Sequence, residues 1–163
     1  VRLPAVGGDT CWSSMYAAYD ALSPAMQGLL DGLTAVHSIV PVLQRMGAAA
    51  MARAKANEQN YGGTEYAHPV VRVHPETGRK ALFVNEGWTT HIVELSKAES
   101  AHVLALLFEH IKSPDFMMRW RWAPNDVALW DNRSVQHYAV PDYDCERVMQ
   151  RVVLAGDRPQ GPK

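Results

Sequence analysis

The chain has 163 residues, 47% of them hydrophobic and 20% charged, and its 16 basic and 17 acidic side chains leave a formal net charge of −1. That is enough apolar material for one domain with a real core, and too little charge to draw nucleic acid or an anionic membrane as a general partner. No apolar run reaches bilayer length and the first residues do not read as a secretory leader, so a cytoplasmic protein is expected. Cys11 and Cys145 lack the number and spacing of a disulfide scaffold or a zinc site.

Gly7-Gly8-Asp9-Thr10 reads as a turn, Thr10 to Trp12 as an extended segment, and Ser13 or Ser14 as the cap of a helix through Met15, Ala18, Tyr19 and Leu22. Ser23-Pro24 starts a second helix, with a capping hydroxyl followed by proline at the first helical position. Between Gly47 and Gly63 the composition turns to Ala, Asn, Gln and Gly, which predicts a mobile insertion or lid at 47–63 inside a single domain spanning 1–163. Pro69–Val73 and Lys80–Val84 read as a hairpin around His74-Pro75-Glu76-Thr77-Gly78-Arg79, and Thr89–Glu94 as a further short extended piece.

Ser96 and Glu99 form a capping box ahead of Val103, Leu104, Leu106, Leu107 and Ile111, whose spacing is helical up to Pro114. Phe116–Trp122 alternates, with Met118, Trp120 and Trp122 opposite Arg119 and Arg121; this reads as a half-buried strand rather than as a stacking surface for nucleic acid. Short antiparallel strands with helical excursions predict a mainly β chain with inserted helices (α+β), arranged as a jelly roll or related sandwich.

The densest chemistry lies between Trp130 and Arg151. Arg147–Leu154 alternates like a strand, which would put Arg147, Met149 and Arg151 on one face with the two arginines about 13 Å apart. Pro141-Asp142-Tyr143-Asp144 has turn chemistry, and a hairpin centred on Asp142 would set His137 opposite Arg147 at roughly 5 Å between Cβ atoms. An imidazole beside anion-binding arginines suggests a metal site with an acidic co-ligand.

Trp130-Asp-Asn-Arg-x-x-x-His137-x-Ala, followed by Arg147 and Arg151, resembles the iron(II)- and 2-oxoglutarate-dependent dioxygenases of the taurine dioxygenase family. Gly7-Gly-Asp-Thr10-x-Trp12, the segments His68–Arg79 and Ala81–Thr90, and Arg119-Trp-Arg-Trp122 resemble the same family in the same order. The resemblance implies a double-stranded β-helix, incomplete here on its N-terminal side. It also implies an Fe(II) centre in which His137 is the distal histidine of a 2-His-1-carboxylate triad. Thr10 and Arg147 would bind the far carboxylate of the co-substrate 2-oxoglutarate. Arg151 would meet the anionic group of a small organosulfur substrate, and Trp88 would stand where the taurine enzyme has a pocket phenylalanine.

The expected reaction consumes dioxygen and turns a sulfonate such as taurine into an aldehyde and sulfite, with succinate and carbon dioxide as co-products. Related alkylsulfatases and aryloxyalkanoate dioxygenases share these motifs, and a non-catalytic anion-binding β-helix is the alternative of another class. The family's His-x-Asp pair falls before Gly7, so the chain is expected to be a C-terminal fragment with one metal ligand of three, inactive by itself. His74-Pro75-Glu76, the internal look-alike, sits in a hairpin turn and is not expected to bind metal. The loop from His137 to Arg147 is one residue shorter than in the taurine enzyme. A homo-oligomer is expected, as family members commonly self-associate.

Overall fold

The structure is a computed structural model that describes residues 2–49, 51–52 and 65–163. Apart from residues 47–49 and 51–52, the expected insertion at 47–63 lies outside the described residues.

Strand β1 (Thr10–Ser14) emerges from the Gly7-Gly8 turn and runs directly into helix α1 (Met15–Asp20). The switch occurs at Ser14, whose backbone is extended while its hydroxyl accepts from the Ala17 N–H, as a helix N-cap does. Helix α2 (Pro24–Leu30) follows with Ser23 as N-cap and Pro24 in its first turn. Strand β2 (Thr34–Ser38), helix α3 (Val40–Met46) and strand β3 (Glu65–Pro69) precede the hairpin of β4 (Val71–Val73) and β5 (Lys80–Leu82). Strand β6 (Thr89–Ile92) leads to helix α4 (Lys97–His110), where Ser96 and Glu99 exchange the reciprocal hydrogen bonds of a capping box. A single 3-10 turn at Pro114–Phe116 ends it before β7 (Met117–Trp120) and β8 (Val135–Ala139).

These strands form three antiparallel sheets, ordered β7-β1-β8, β3-β2-β6 and β4-β5, which do not close into a barrel among the described residues. A core containing Met15, Leu82, Ile92, Leu104 and Leu107 joins α1, the β4–β5 hairpin, β6 and α4. The buried Ser13 hydroxyl donates to the Ile111 carbonyl at 2.7 Å, tying β1 to the end of α4. Among the described residues no helix is long and apolar enough to cross a membrane.

Two sequence expectations are corrected. Met118 and Trp120 are 52% and 42% exposed, so β7 is not half-buried, and the strand stops at Trp120. More consequentially, residues 147–154 form no strand, and only Val148 makes a bridge, to Arg2. The reason is competition for the loop after β8. The Val140 N–H donates to the Asp9 carbonyl at 2.9 Å, the Asp142 carboxylate accepts from the Gly8 N–H at 2.8 Å, and Arg147 Nε donates to the Gly8 carbonyl at 2.8 Å. These bonds draw the chain across the start of β1 instead of back along β8. His137 therefore faces Trp12 across β1, not Arg147, and Arg147 and Arg151 do not share a strand face.

Candidate active site

A cleft of about 390 Å³ opens beside β8, lined among others by His137, Trp88, Arg151, His37, Arg133 and Asn85. Three of the residues singled out in the sequence thus meet there although the hairpin expected to join them does not exist. Strand β8 brings His137, the turn before β6 brings Trp88, and the irregular segment after Val148 brings Arg151.

The His137 ring packs 4.9 Å from that of Trp130, which itself meets Trp12 edge-on at 5.3 Å. Burial lowers the pKa of His137, and the positive charge of Arg151 lowers it further. A neutral imidazole is the form that donates a lone pair to a metal. The arginine that His137 senses is therefore Arg151, from a segment that sequence reasoning placed elsewhere.

Thr10 and Arg147 form a second pair. Arg147 Nη2 lies 3.4 Å from Thr10 Oγ1, and Trp122 Nε1 donates to the same oxygen at 2.9 Å. With two donors on its oxygen, the hydroxyl has its own proton left to give, so threonine and guanidinium together can present donors to a carboxylate. Thr10 sits opposite Ala139 and Trp12 opposite His137, so the pair lies on the face that carries His137, roughly 7 Å along the sheet. The glycines of the motif make this possible. Gly8 has φ 71°, and a Cβ there would meet Arg147 Cδ at 3.0 Å; one on Gly7, at φ 79°, would meet the Asp142 carbonyl oxygen at 2.4 Å. Arg119 closes the turn from outside by bridging Asp9 and Asp142 at 2.7 and 2.8 Å.

Two arginines line the cleft, and they differ in what already holds them. Arg133 donates to Asp131 at 2.6 Å, to Glu76 at 2.7 Å and to Asp157 at 3.4 Å. Its charge and hydrogen bonds hold the Asp131 carboxyl far below the usual range against the opposing effect of burial. Arg151 has no hydrogen bond or ion pair to any described residue, leaving a free guanidinium in the cleft.

His74, Glu76 and Asp131 place potential metal-ligand atoms within 4.8 Å of one another. Arg133 already bridges both carboxylates, and His74 Nε2 lies 3.1 Å from Asp131, so this group reads as a charge network rather than a vacancy for a cation. For iron the donor type fits and the number does not. His137 is the one cleft residue assigned as a donor, and no group of three candidate ligands among the described residues includes it.

Sequence reasoning missed His37, which lines the cleft from β2 where pairing with β6 slips between Val36 and His37. A bulge of this kind re-aims a side chain, but one histidine in a short strand carries no mark of it in the sequence. Burial holds the His37 pKa down at about 4; neighbouring His68 adds to the lowering and the Phe83 backbone opposes it. Its folded pKa is below the ordinary value of 6.5, so the unfolded chain takes up the proton first as pH falls. The stability due to neutral His37 is complete above about pH 6.5 and is lost as pH falls toward about 4. Urea midpoints measured across that window are expected to drop with pH, and to drop less in His37→Gln; an unchanged slope in the variant would refute this source.

Residues 1–153 match the model of the taurine catabolism dioxygenase TauD, TfdA family. The chain belongs to this family. Among curated relatives of this TauD/TfdA chain, the alpha-ketoglutarate-dependent sulfate ester dioxygenase of Pseudomonas putida is 40% identical, over 99% of this chain and 54% of that protein. The (S)-phenoxypropionate/alpha-ketoglutarate-dioxygenase of Sphingobium herbicidovorans is 37% identical, over 95% of this chain and 55% of that protein. A taurine dioxygenase crystal structure from Burkholderia xenovorans superposes with a TM-score of 0.72 at 36% identity, covering 87% of this chain and 45% of that one. The chain thus spans about half the length of the relatives it matches.

Proposed function

We propose that the complete protein is a 2-oxoglutarate-dependent non-haem iron dioxygenase acting on a small organosulfur monoanion, with a sulfonate such as taurine as its reference substrate. Oxygen is inserted at the carbon beside sulfur while 2-oxoglutarate is split to succinate and carbon dioxide, and the hydroxylated sulfonate collapses to an aldehyde and sulfite. Bound iron would supply the activation of dioxygen. The residues of this chain bind and orient. His137 offers the metal one neutral imidazole, with the other two protein ligands expected before Val1; Thr10 and Arg147 present donors to the far carboxylate of 2-oxoglutarate; and Trp88 flanks the substrate chain.

The observation that carries the reading is the unpaired guanidinium of Arg151 in the same cleft as His137. A fixed cation without a carboxylate partner, beside a neutral imidazole, is suited to holding an anionic group close to a metal. A sulfate ester is the second reading, favoured by the 40% identity to a sulfate ester dioxygenase. The two are separated by a panel of sulfonates, alkyl sulfates and aryloxyalkanoates, scored by succinate formation and by the released anion. Sulfite supports the sulfonate reading, sulfate the ester reading, and absence of turnover of every sulfonate overturns the former.

A further inference from the structure

The segment that carries Arg151 has no regular secondary structure, and Val152 and Leu154 within it are 91% and 86% exposed. It is fastened at its two ends. At the near end Arg2 and Val148 exchange backbone hydrogen bonds of 2.9 Å, next to Arg147 on Gly8. At the far end Asp157 accepts from Arg72 Nη2 at 2.9 Å and from Arg133 Nη1 at 3.4 Å, and the Val73 N–H donates to the Gln160 carbonyl at 2.8 Å.

Arg72 is the unusual member. Its side chain is 3% exposed, its guanidinium lies 5.1 Å from the centroid of the Phe83 ring, and Asp157 is its carboxylate partner. A buried guanidinium stripped of its counter-charge is costly, so the pair has a strong preference for staying closed. Phe83 and Arg133 both line the cleft, so the closed pair fixes the end of the segment against the wall of the site.

We propose that Asp157 is a positioning residue for Arg151, acting through Arg72 and Arg133 as the latch of the segment that spans the cleft. The inference rests on Arg151 being the substrate anchor, as argued above. Asp157 does not touch substrate. It keeps a span without lateral hydrogen-bonded neighbours from drifting, and an anchoring group displaced by even about 1 Å can lose much of its effect. Burial raises the Asp157 carboxyl pKa, but its own backbone N–H and the charges of Arg72 and Arg133 hold it below the ordinary value, consistent with a closed ionic latch.

The test uses the complete, iron-loaded enzyme with the substrate identified by the panel. Asp157→Ala is expected to raise KM for the anionic substrate about tenfold, with kcat and the affinity for 2-oxoglutarate changed less than about twofold. Asp157→Glu should recover part of the loss, since it restores the charge. In an Arg151→Gln background, Asp157→Ala should add less than about twofold, because the two changes act on one contact. Full additivity, or equal losses for substrate and 2-oxoglutarate, would overturn the assignment in favour of a general structural role.

Hydrogen exchange over residues 149–156 supplies a readout that needs no turnover. Asp157→Ala should speed it while leaving α4 unchanged, and unchanged exchange would refute the latch. If wild-type enzyme turns over none of the panel while exchange responds as expected, it is the assignment of Arg151 that fails, not the latch.

Discussion

His137→Ala in the complete enzyme is expected to lower iron content and turnover by at least about a hundredfold, since residues one step removed from a metal ligand already act on the scale of 10–100-fold. The fold should survive. His137 is exposed in the cleft and sits near the middle of β8, whose pairing to β1 runs through backbone groups that the substitution leaves in place. Thermal unfolding of the variant should therefore stay close to wild type, allowing for the lost packing against Trp130. Metal content by elemental analysis after gel filtration, read beside turnover, makes the outcome decisive. Retained iron with retained activity would remove His137 from the site, and lost iron with a collapsed unfolding transition would assign it to structure.

The second large effect concerns Arg151. Arg151→Gln removes the unpartnered guanidinium from the cleft and should weaken binding of the anionic substrate by about tenfold to a hundredfold, the range of one charge-assisted hydrogen bond. Arg151→Lys should recover only part of this, since an ammonium is a point charge where a guanidinium is a fork. The affinity for 2-oxoglutarate should stay within about twofold, because Thr10 and Arg147 form a separate pair on the β1–β8 sheet. Arg147→Gln should reverse the pattern, raising the 2-oxoglutarate requirement and sparing the anion. Titration calorimetry with each ligand separates the two arginines. Equal losses of both ligands in both variants would show one shared subsite, and the division of labour proposed here would fall.

That division was legible in the sequence only through family motifs, because the local reading of Arg147–Leu154 as a strand was wrong. Alternation of Arg147, Met149, Arg151 and Val153 is a real pattern, but a strand needs a partner as well as a pattern. The competing claims on this stretch come from residues about 140 positions away: Gly8 takes Arg147 and Arg2 takes Val148. The same holds for Arg133. Its sequence neighbourhood marks it as one more basic residue in a promising stretch, while the fold brings Glu76 and Asp157 onto it and takes its charge out of play.

What the sequence by itself determined is what acts over a few residues. The capping hydroxyls of Ser14, Ser23 and Ser96, Pro24 at a helix start, the β4–β5 hairpin around its Pro-Glu-Thr-Gly turn and the glycine turn before Thr10 all stand as read. Each depends on backbone geometry and on hydrogen bonds that close within one or two turns of chain. Only the tertiary structure decided that His137 faces Trp12, that Thr10 and Arg147 meet, and which arginine keeps a free charge. Those outcomes are settled by competition among distant donors and carboxylates, whose result depends on which groups the closed chain brings within about 3 Å, a distance that spacing along the sequence does not encode.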